Sequence, residues 1–63
     1  MTIGQRIKIR REELGMSQED LSKKVGYKSK SSINKIELGQ RVLTQSKIKA
    51  LADALDTTPS YIM

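Results

Sequence analysis

The side chains with the most binding chemistry to offer are concentrated between residues 28 and 35. Lysines, serines and one asparagine there supply the N–H and O–H groups that bind phosphate oxygens and base edges. The residues are Lys28, Ser29, Lys30, Ser31, Ser32, Asn34 and Lys35. The amide of Asn34 suits a bidentate contact with adenine, and Lys30 or Lys35 has the length to reach guanine acceptors. Outside a binding motif, residues 28–32 would be an ordinary solvated loop.

Catalytic and metal-binding chemistry is poorly supplied by this sequence. It has no histidine and no cysteine, the residues that most often act as general base, nucleophile or zinc ligand. Neither a glycine-rich phosphate loop nor a cluster of carboxylates is present. We therefore predict no catalytic residue, no metal site, no cofactor and no small-molecule ligand, and we do not expect the chain to be an enzyme.

The net charge of the 63-residue chain favours a polyanionic partner. Twelve Lys and Arg residues against seven Asp and Glu residues give a formal charge of +5, which is typical of nucleic-acid-binding domains although weak as a signal by itself. Lys47 and Lys49 are expected on ordinary surface. The only aromatic residues are Tyr27 and Tyr61. Single-strand binders stack bases on aromatic side chains, so this scarcity favours double-stranded DNA.

The apolar periodicity predicts four or five short helices and no strand, joined by short loops. Thr2, with a glutamine three residues later, has the pattern of a capping box that opens the first helix, and Gly15 ends it. Thr44 caps the fourth helix, and Pro59 opens a short closing helix. The expected fold class is therefore all-α, a compact bundle that forms a single domain over residues 1–63.

The predicted core consists of apolar residues that recur on one face of each helix. They are Ile3, Ile7 and Leu14 in the first helix, Leu21 and Val25 in the second, Ile33 and Ile36 in the third, Ile48, Leu51, Ala52 and Leu55 in the fourth, and Tyr61, Ile62 and Met63 at the end. Ile9, Leu38 and Val42 fall outside these stripes. They are expected either as scattered surface residues or as part of a dimer contact.

Residues 17–37 have the arrangement of a helix-turn-helix. Ser17 caps a short helix that Gly26 ends, a polar turn follows, and the next helix is capped by Ser29 or Ser31. In such a motif the first helix is packed firmly and holds the second at a fixed angle. The polar face of the second helix then enters the major groove. The loop after it, which begins at residue 40, is expected to have no regular structure.

Four segments carry a resemblance to a known family. They are LGMSQEDLSKKVG (residues 14–26), SINKIELG (32–39), ADAL (52–55) and PSYI (59–62). Together they resemble the lambdoid-phage repressor and Cro-type helix-turn-helix family over nearly the whole chain. Two departures stand out. The turn before Ser32 is one residue longer than in that family, which leaves the register of residues 28–30 open by one position, and Leu43 stands where the family often has proline.

The resemblance implies roles for individual residues. It implies that Gln18 contacts a backbone phosphate at the start of the first motif helix. It also implies that bases or phosphates are touched by the recognition helix and that the following loop tracks the DNA backbone. The residues concerned are Lys30, Ser31 and Lys35 in the helix and Gln40 and Arg41 in the loop.

Two opposite charges fall on apolar helix faces. Arg11 continues the buried stripe of the first helix, and Glu37 shares the buried face of the third. We therefore predict a structural, partly buried salt bridge between Arg11 and Glu37, and the family commonly has an arginine and a glutamate at these positions. Arg6, Lys8 and Arg10 are expected on the solvated face of the first helix, where Arg10 is a further candidate for a phosphate contact.

Taken together, these features predict a sequence-specific DNA-binding regulator of transcription, a repressor that acts as a homodimer on an inverted repeat. The alternative is a protein-interaction module with the same fold, such as an antitoxin or an adaptor. A cytoplasmic location is expected, because the sequence has no signal peptide and no apolar run long enough for a membrane. An end at Met63 suits either a whole protein or the DNA-binding part of a longer one.

Overall fold

Five α-helices and no strands make up the fold in the computed structural model, which describes residues 1–63. They are α1 (Ile3–Glu13), α2 (Gln18–Val25), α3 (Lys30–Glu37), α4 (Gln45–Ala54) and α5 (Pro59–Ile62). This confirms the prediction of an all-α bundle with a helix-turn-helix at its centre. None of the helices combines the length and the apolar character that crossing a bilayer requires.

Most of the helix starts follow the capping residues that the sequence predicts. The Thr2 hydroxyl accepts a hydrogen bond from the backbone N–H of Gln5 at 3.2 Å, and the Gln5 side chain accepts one from the N–H of Thr2 at 2.9 Å. Ser17 and Asp20 form the same reciprocal pair, with both bonds at 3.0 Å. Thr44 caps α4 through one bond of 3.2 Å. These oxygens satisfy N–H groups that a first helical turn leaves without a partner.

Nine apolar side chains form one buried core. They are Ile7, Leu21, Ile33, Ile36, Ile48, Leu51, Ala52, Leu55 and Ile62. All nine were predicted for the core, and Ile3 and Val25 pack against them half-buried. Within this core α2 packs against α3 and α4, while α1 packs against α3 and α5. The angle between α2 and α3 is therefore fixed by the apolar faces of several helices at once.

Three residues predicted for the core are exposed instead. Leu14, Tyr61 and Met63 expose 40%, 41% and 59% of their surface. Leu14 is the C-cap residue of α1, and the chain turns away directly after it through Gly15 at φ +68°. Its side chain therefore lies beyond the packed part of the stripe. Helix α5 has only four residues, and a single turn presents one side chain, that of Ile62, to the core.

Helices α1 and α3 approach each other closely at Gly4. This residue is buried, and a Cβ atom on it would lie 2.8 Å from the carbonyl oxygen of Glu37 and closer still to that of Ile36. A side chain therefore cannot fit without moving one helix away from the other. Gly4 allows the start of α1 to lie directly against the C-terminal end of α3.

Two arginines of α1 hold the C-terminal part of the chain. Nε of Arg10 donates to the carbonyl oxygen of Leu55 at 2.9 Å, and its Nη2 donates to that of Asp56 at 3.2 Å. Nη1 of Arg6 donates to the carbonyl oxygen of Tyr61 at 3.2 Å. These bonds satisfy carbonyls at the ends of α4 and α5. The prediction that both arginines lie on a solvated face was therefore wrong, because each is half-buried.

Candidate nucleic-acid interface

Helix α3 buries one face and exposes a continuous polar one. Its buried face carries Ile33 and Ile36. On the other side, Lys30 and Asn34 are one turn apart, as are Ser31 and Lys35, and side chains four residues apart share a helix face. All four of these polar side chains are exposed, while that of Ser32 beside them is half-buried. The structure thus brings five of the predicted binding residues together on α3, and the four exposed ones each carry N–H or O–H donors.

The turn before α3 is polar and leaves the helix without a side-chain cap. Lys28 and Ser29 are exposed there. Ser29 occupies the N-cap position, but its hydroxyl makes no capping bond. Instead the hydroxyl oxygens of Ser29 and Ser31 lie 2.6 Å apart and share a hydrogen bond. No side chain therefore caps the first N–H groups of α3, and the residues around them are exposed, so an acceptor such as a phosphate oxygen could bind there.

Arg11 and Glu37 form the ion pair that their positions predict, and it links α1 to α3. Nε of Arg11 lies 2.7 Å from Oε2 of Glu37, and Nη2 lies 3.2 Å from Oε1. The two residues are only 8% and 7% exposed. The hydrogen bonding that the Arg11 guanidinium donates to Glu37 raises the pKa of Arg11 and outweighs the lowering effect of burial. Nη1 of Arg11 also donates to the carbonyl oxygen of Met16 at 2.8 Å, which fixes the chain just before α2.

Gln18 extends this ion pair toward the surface. Its Nε2 donates to Oε1 of Glu37 at 3.0 Å and to Oδ1 of Asn34 at 3.3 Å. Both amide hydrogens are therefore used, and the side chain retains only its Oε1 acceptor. As placed, the side chain has no donor for a phosphate. The backbone N–H of Gln18, at the first position of α2, is the group of this residue that can donate to one.

Tyr27 holds two cations beside the turn that precedes α3. The guanidinium carbon of Arg41 lies 5.0 Å from the centre of the Tyr27 ring, and Nζ of Lys47 lies 4.6 Å from it. Both distances are typical of cation–π contacts. Tyr27 itself is half-buried against the core. The expectation that Lys47 lies on ordinary surface was therefore incomplete, because no feature of its sequence neighbourhood shows that α4 begins next to Tyr27.

The remaining predicted residues divide into two groups. Gln40 and Arg41 lie exposed in the loop after α3, and the backbone N–H of Gln40 donates to the carbonyl oxygen of Lys35 at 2.8 Å. They thus continue the surface formed by α3. Arg10 is separate from it, because its guanidinium nitrogens are engaged by the end of α4 and by Glu13 at 3.5 Å. The structure therefore places Arg10 in a packing role.

Comparison with known proteins gives a consistent result. A protein-family model described as "Helix-turn-helix" matches residues 7–62. The chain is similar to a structure of the DNA-binding domain of the P22 c2 repressor, with a TM-score of 0.92 and 32% identity over 98% of this chain and 80% of that one. The repressor family resemblance seen in the sequence is therefore confirmed. None of the curated protein sequences matches the chain.

Two further structures are equally informative. The P22 c2 repressor in complex with a synthetic operator has a TM-score of 0.91 and 32% identity, over 100% of this chain and 94% of that one. The restriction-modification controller protein C.AhdI from Aeromonas hydrophila has a TM-score of 0.90 and 36% identity, over 97% of this chain and 91% of that one. The similarity thus extends over all five helices and includes the segment that carries α2 and α3.

Proposed function

The chain belongs to the helix-turn-helix family, and on that premise we propose that it is a transcriptional regulator that binds duplex DNA sequence-specifically. The observation that carries the proposal is the polar, cationic face of α3, which stands exposed beside a helix that is packed into the core. A rigidly held helix with donors on its outer face is the arrangement that reads base edges. The names of the similar proteins, a DNA-binding domain and a repressor with its operator, support the same reading.

In the proposed complex α3 lies in the major groove. An α-helix with its side chains is about 10–12 Å in diameter, which suits a groove about 12 Å wide. Ser31, Asn34 and Lys35 face the bases and choose the sequence. Lys28 and Arg41 lie beside the turn that precedes α3 and bind phosphates, which set the register and much of the affinity. The backbone N–H of residue 18, at the start of α2, is a further phosphate donor.

The finer part of the proposal concerns the assembly and its effect. Two copies of the chain bind an inverted repeat, with their recognition helices about 34–36 Å apart along the same side of the duplex. Each copy covers on the order of 600–1,000 Å² of its own surface on DNA. A dimer placed over a promoter blocks access to it, so repression is the proposed outcome. The similarity to a structure named as a repressor supports this part.

Selection from a pool of random duplexes tests the proposed function. The chain should enrich an inverted repeat, and the logarithm of its affinity for that site should fall linearly with the logarithm of the salt concentration. A variant with Ser31, Asn34 and Lys35 replaced by alanine is the matched control and should enrich nothing. If the natural sequence also enriches nothing and binds all duplexes weakly and equally, a protein-interaction module becomes the better interpretation.

A further inference from the structure

Four side chains form a continuous chain of hydrogen bonds from the core to the exposed face of α3. They are, in order, Arg11, Glu37, Gln18 and Asn34. A guanidinium only donates and an ionised carboxylate only accepts. Gln18 must therefore turn its nitrogen, not its oxygen, toward Glu37. Because the same nitrogen donates to Asn34, the oxygen of the Asn34 amide faces Gln18. The buried ion pair thus fixes the direction of both amides.

This direction decides which groups Asn34 offers to solvent. Its Oδ1 is engaged by Gln18, while its Nδ2 has no partner within the protein and the residue is exposed. A bidentate contact with adenine needs both the oxygen and the nitrogen of the amide. In the observed arrangement Gln18 occupies one of the two acceptor positions of Oδ1, whereas both N–H donors of the Asn34 amide are free. They match a base edge that carries acceptors and no donor, which is the edge of guanine with its N7 and O6.

We propose that Glu37, acting through Gln18, is a positioning residue that makes Asn34 select guanine over adenine in the major groove. The inference rests on the proposed function and adds a base preference to it. Glu37 does not need Gln18 for its own stability, since Arg11 already binds both of its carboxylate oxygens. The bond from Gln18 at 3.0 Å therefore orients Gln18 more than it satisfies the ion pair.

The test is the base preference at each position of the enriched duplex, measured for the natural sequence and for two variants. The position at which Asn34→Ala loses discrimination identifies the base that Asn34 faces. At that position the natural sequence should prefer guanine to adenine by about tenfold. Gln18→Ala should remove this preference or shift it toward adenine, because the freed amide can turn its oxygen outward. Preferences at the other positions should not change.

Lys28→Ala is the matched control, since it removes a phosphate contact and should weaken binding to all sequences by a similar factor. A Gln18→Ala variant that behaves in the same way, with an unchanged preference at the Asn34 position, would overturn the inference and leave sequence-specific binding intact. A preference for adenine there in the natural sequence, or an Asn34→Ala variant that changes no position, would also overturn it. Failure to enrich any duplex would instead overturn the proposed function.

A second measurement needs no DNA and does not depend on a variant that folds. The side-chain amide hydrogens of Gln18 are both hydrogen-bonded, whereas those of Asn34 are both free. In the free protein, we expect the Gln18 amide hydrogens to exchange with water at least several-fold more slowly than those of Asn34. Equal exchange rates would show that the amides are not held, and the positioning role would be lost.

Discussion

At the scale of single residues, burial makes Arg11 and Glu37 depend on each other. Glu37→Gln leaves the guanidinium buried without a charged partner, so we expect it to lower the free energy of unfolding by about 3 kcal/mol. In a domain of this size that corresponds to a fall in Tm of roughly 12 °C or more. Glu13→Gln is the control, because its contact with Arg10 is long and exposed and should contribute less than about 0.5 kcal/mol. A Glu37→Gln variant that melts within a degree of the natural protein would contradict this role.

The capping carboxylate of Asp20 makes the stability of the fold depend on pH in the acid range. Hydrogen bonds from the backbone N–H and then the hydroxyl of Ser17 hold the pKa of this carboxyl below its ordinary value. The stability that the ionised form contributes is therefore present above the unfolded-state pKa of about 3.9 and is lost as the pH falls through the lower folded-state pKa. The difference in Tm between the natural protein and Asp20→Asn should therefore shrink as the pH falls from 6 to about 2. A Tm difference for Asp20→Asn that is independent of pH would contradict the assignment.

The role of a single residue could be predicted from the sequence only where the apolar periodicity of its own helix indicated that role. An arginine and a glutamate on two apolar stripes predict a buried ion pair, because neither charge can be left alone there. The bond between Gln18 and Asn34 could not be predicted in this way. It forms because α2 and α3 cross at a point that brings Nε2 of Gln18 within 3.3 Å of Oδ1 of Asn34. The periodicity within one helix does not contain that information.

At the scale of elements, helix starts were predictable and helix contacts were not. The caps at Thr2, Ser17 and Thr44 each join atoms three residues apart, so the local sequence contains the whole interaction. The ends of the core stripes were less certain. Leu14 has the correct spacing for the core but follows the last residue of α1, and the turn that exposes it is set by the chain beyond the helix.

The contact of α1 with α3 leads to a prediction at Gly4. Alanine is intrinsically the better helix former by roughly 1 kcal/mol, so Gly4→Ala would stabilise a free helix. In this fold the added Cβ would meet backbone carbonyl oxygens of α3, and we expect a net loss of about 1–3 kcal/mol in unfolding free energy. Lys8→Ala, exposed on the same helix, should change the stability by less than about 0.5 kcal/mol in denaturant titrations. A rise in Tm for Gly4→Ala would show that the two helices separate at little cost.

At the scale of the whole molecule, the charge is distributed in a way that supports binding along α3. The chain has a formal charge of +5, and Tyr27 collects Arg41 and Lys47 beside the turn that already exposes Lys28. The net charge follows from the composition, but the cluster of cations around Tyr27 could not be predicted from it. Residues 27, 41 and 47 meet only when α4 packs against α2. The fold therefore brings some of the excess cationic side chains together beside the turn that precedes α3.

This grouping predicts how binding responds to salt. Each phosphate contact adds about 0.9 to the slope of log affinity against log salt concentration. Arg41→Gln should therefore reduce the slope by about 1 on any duplex and leave the preference among sequences unchanged. Lys8→Gln removes the same charge from α1, outside the helix-turn-helix, and should leave the slope unchanged. Equal effects of the two substitutions would mean that Arg41 acts only through the net charge.

Specific reading of duplex DNA by α3 is tested most directly by the ratio of affinities for the enriched duplex and a scrambled duplex of the same composition. At near-physiological salt we expect a ratio of about 10³ or more for the natural sequence. Lys35→Ala on the exposed face of α3 should lower that ratio by about tenfold, while Lys49→Ala on α4 should leave it unchanged. A ratio near one for the natural sequence, or a ratio that Lys35→Ala does not alter, would contradict recognition through this helix.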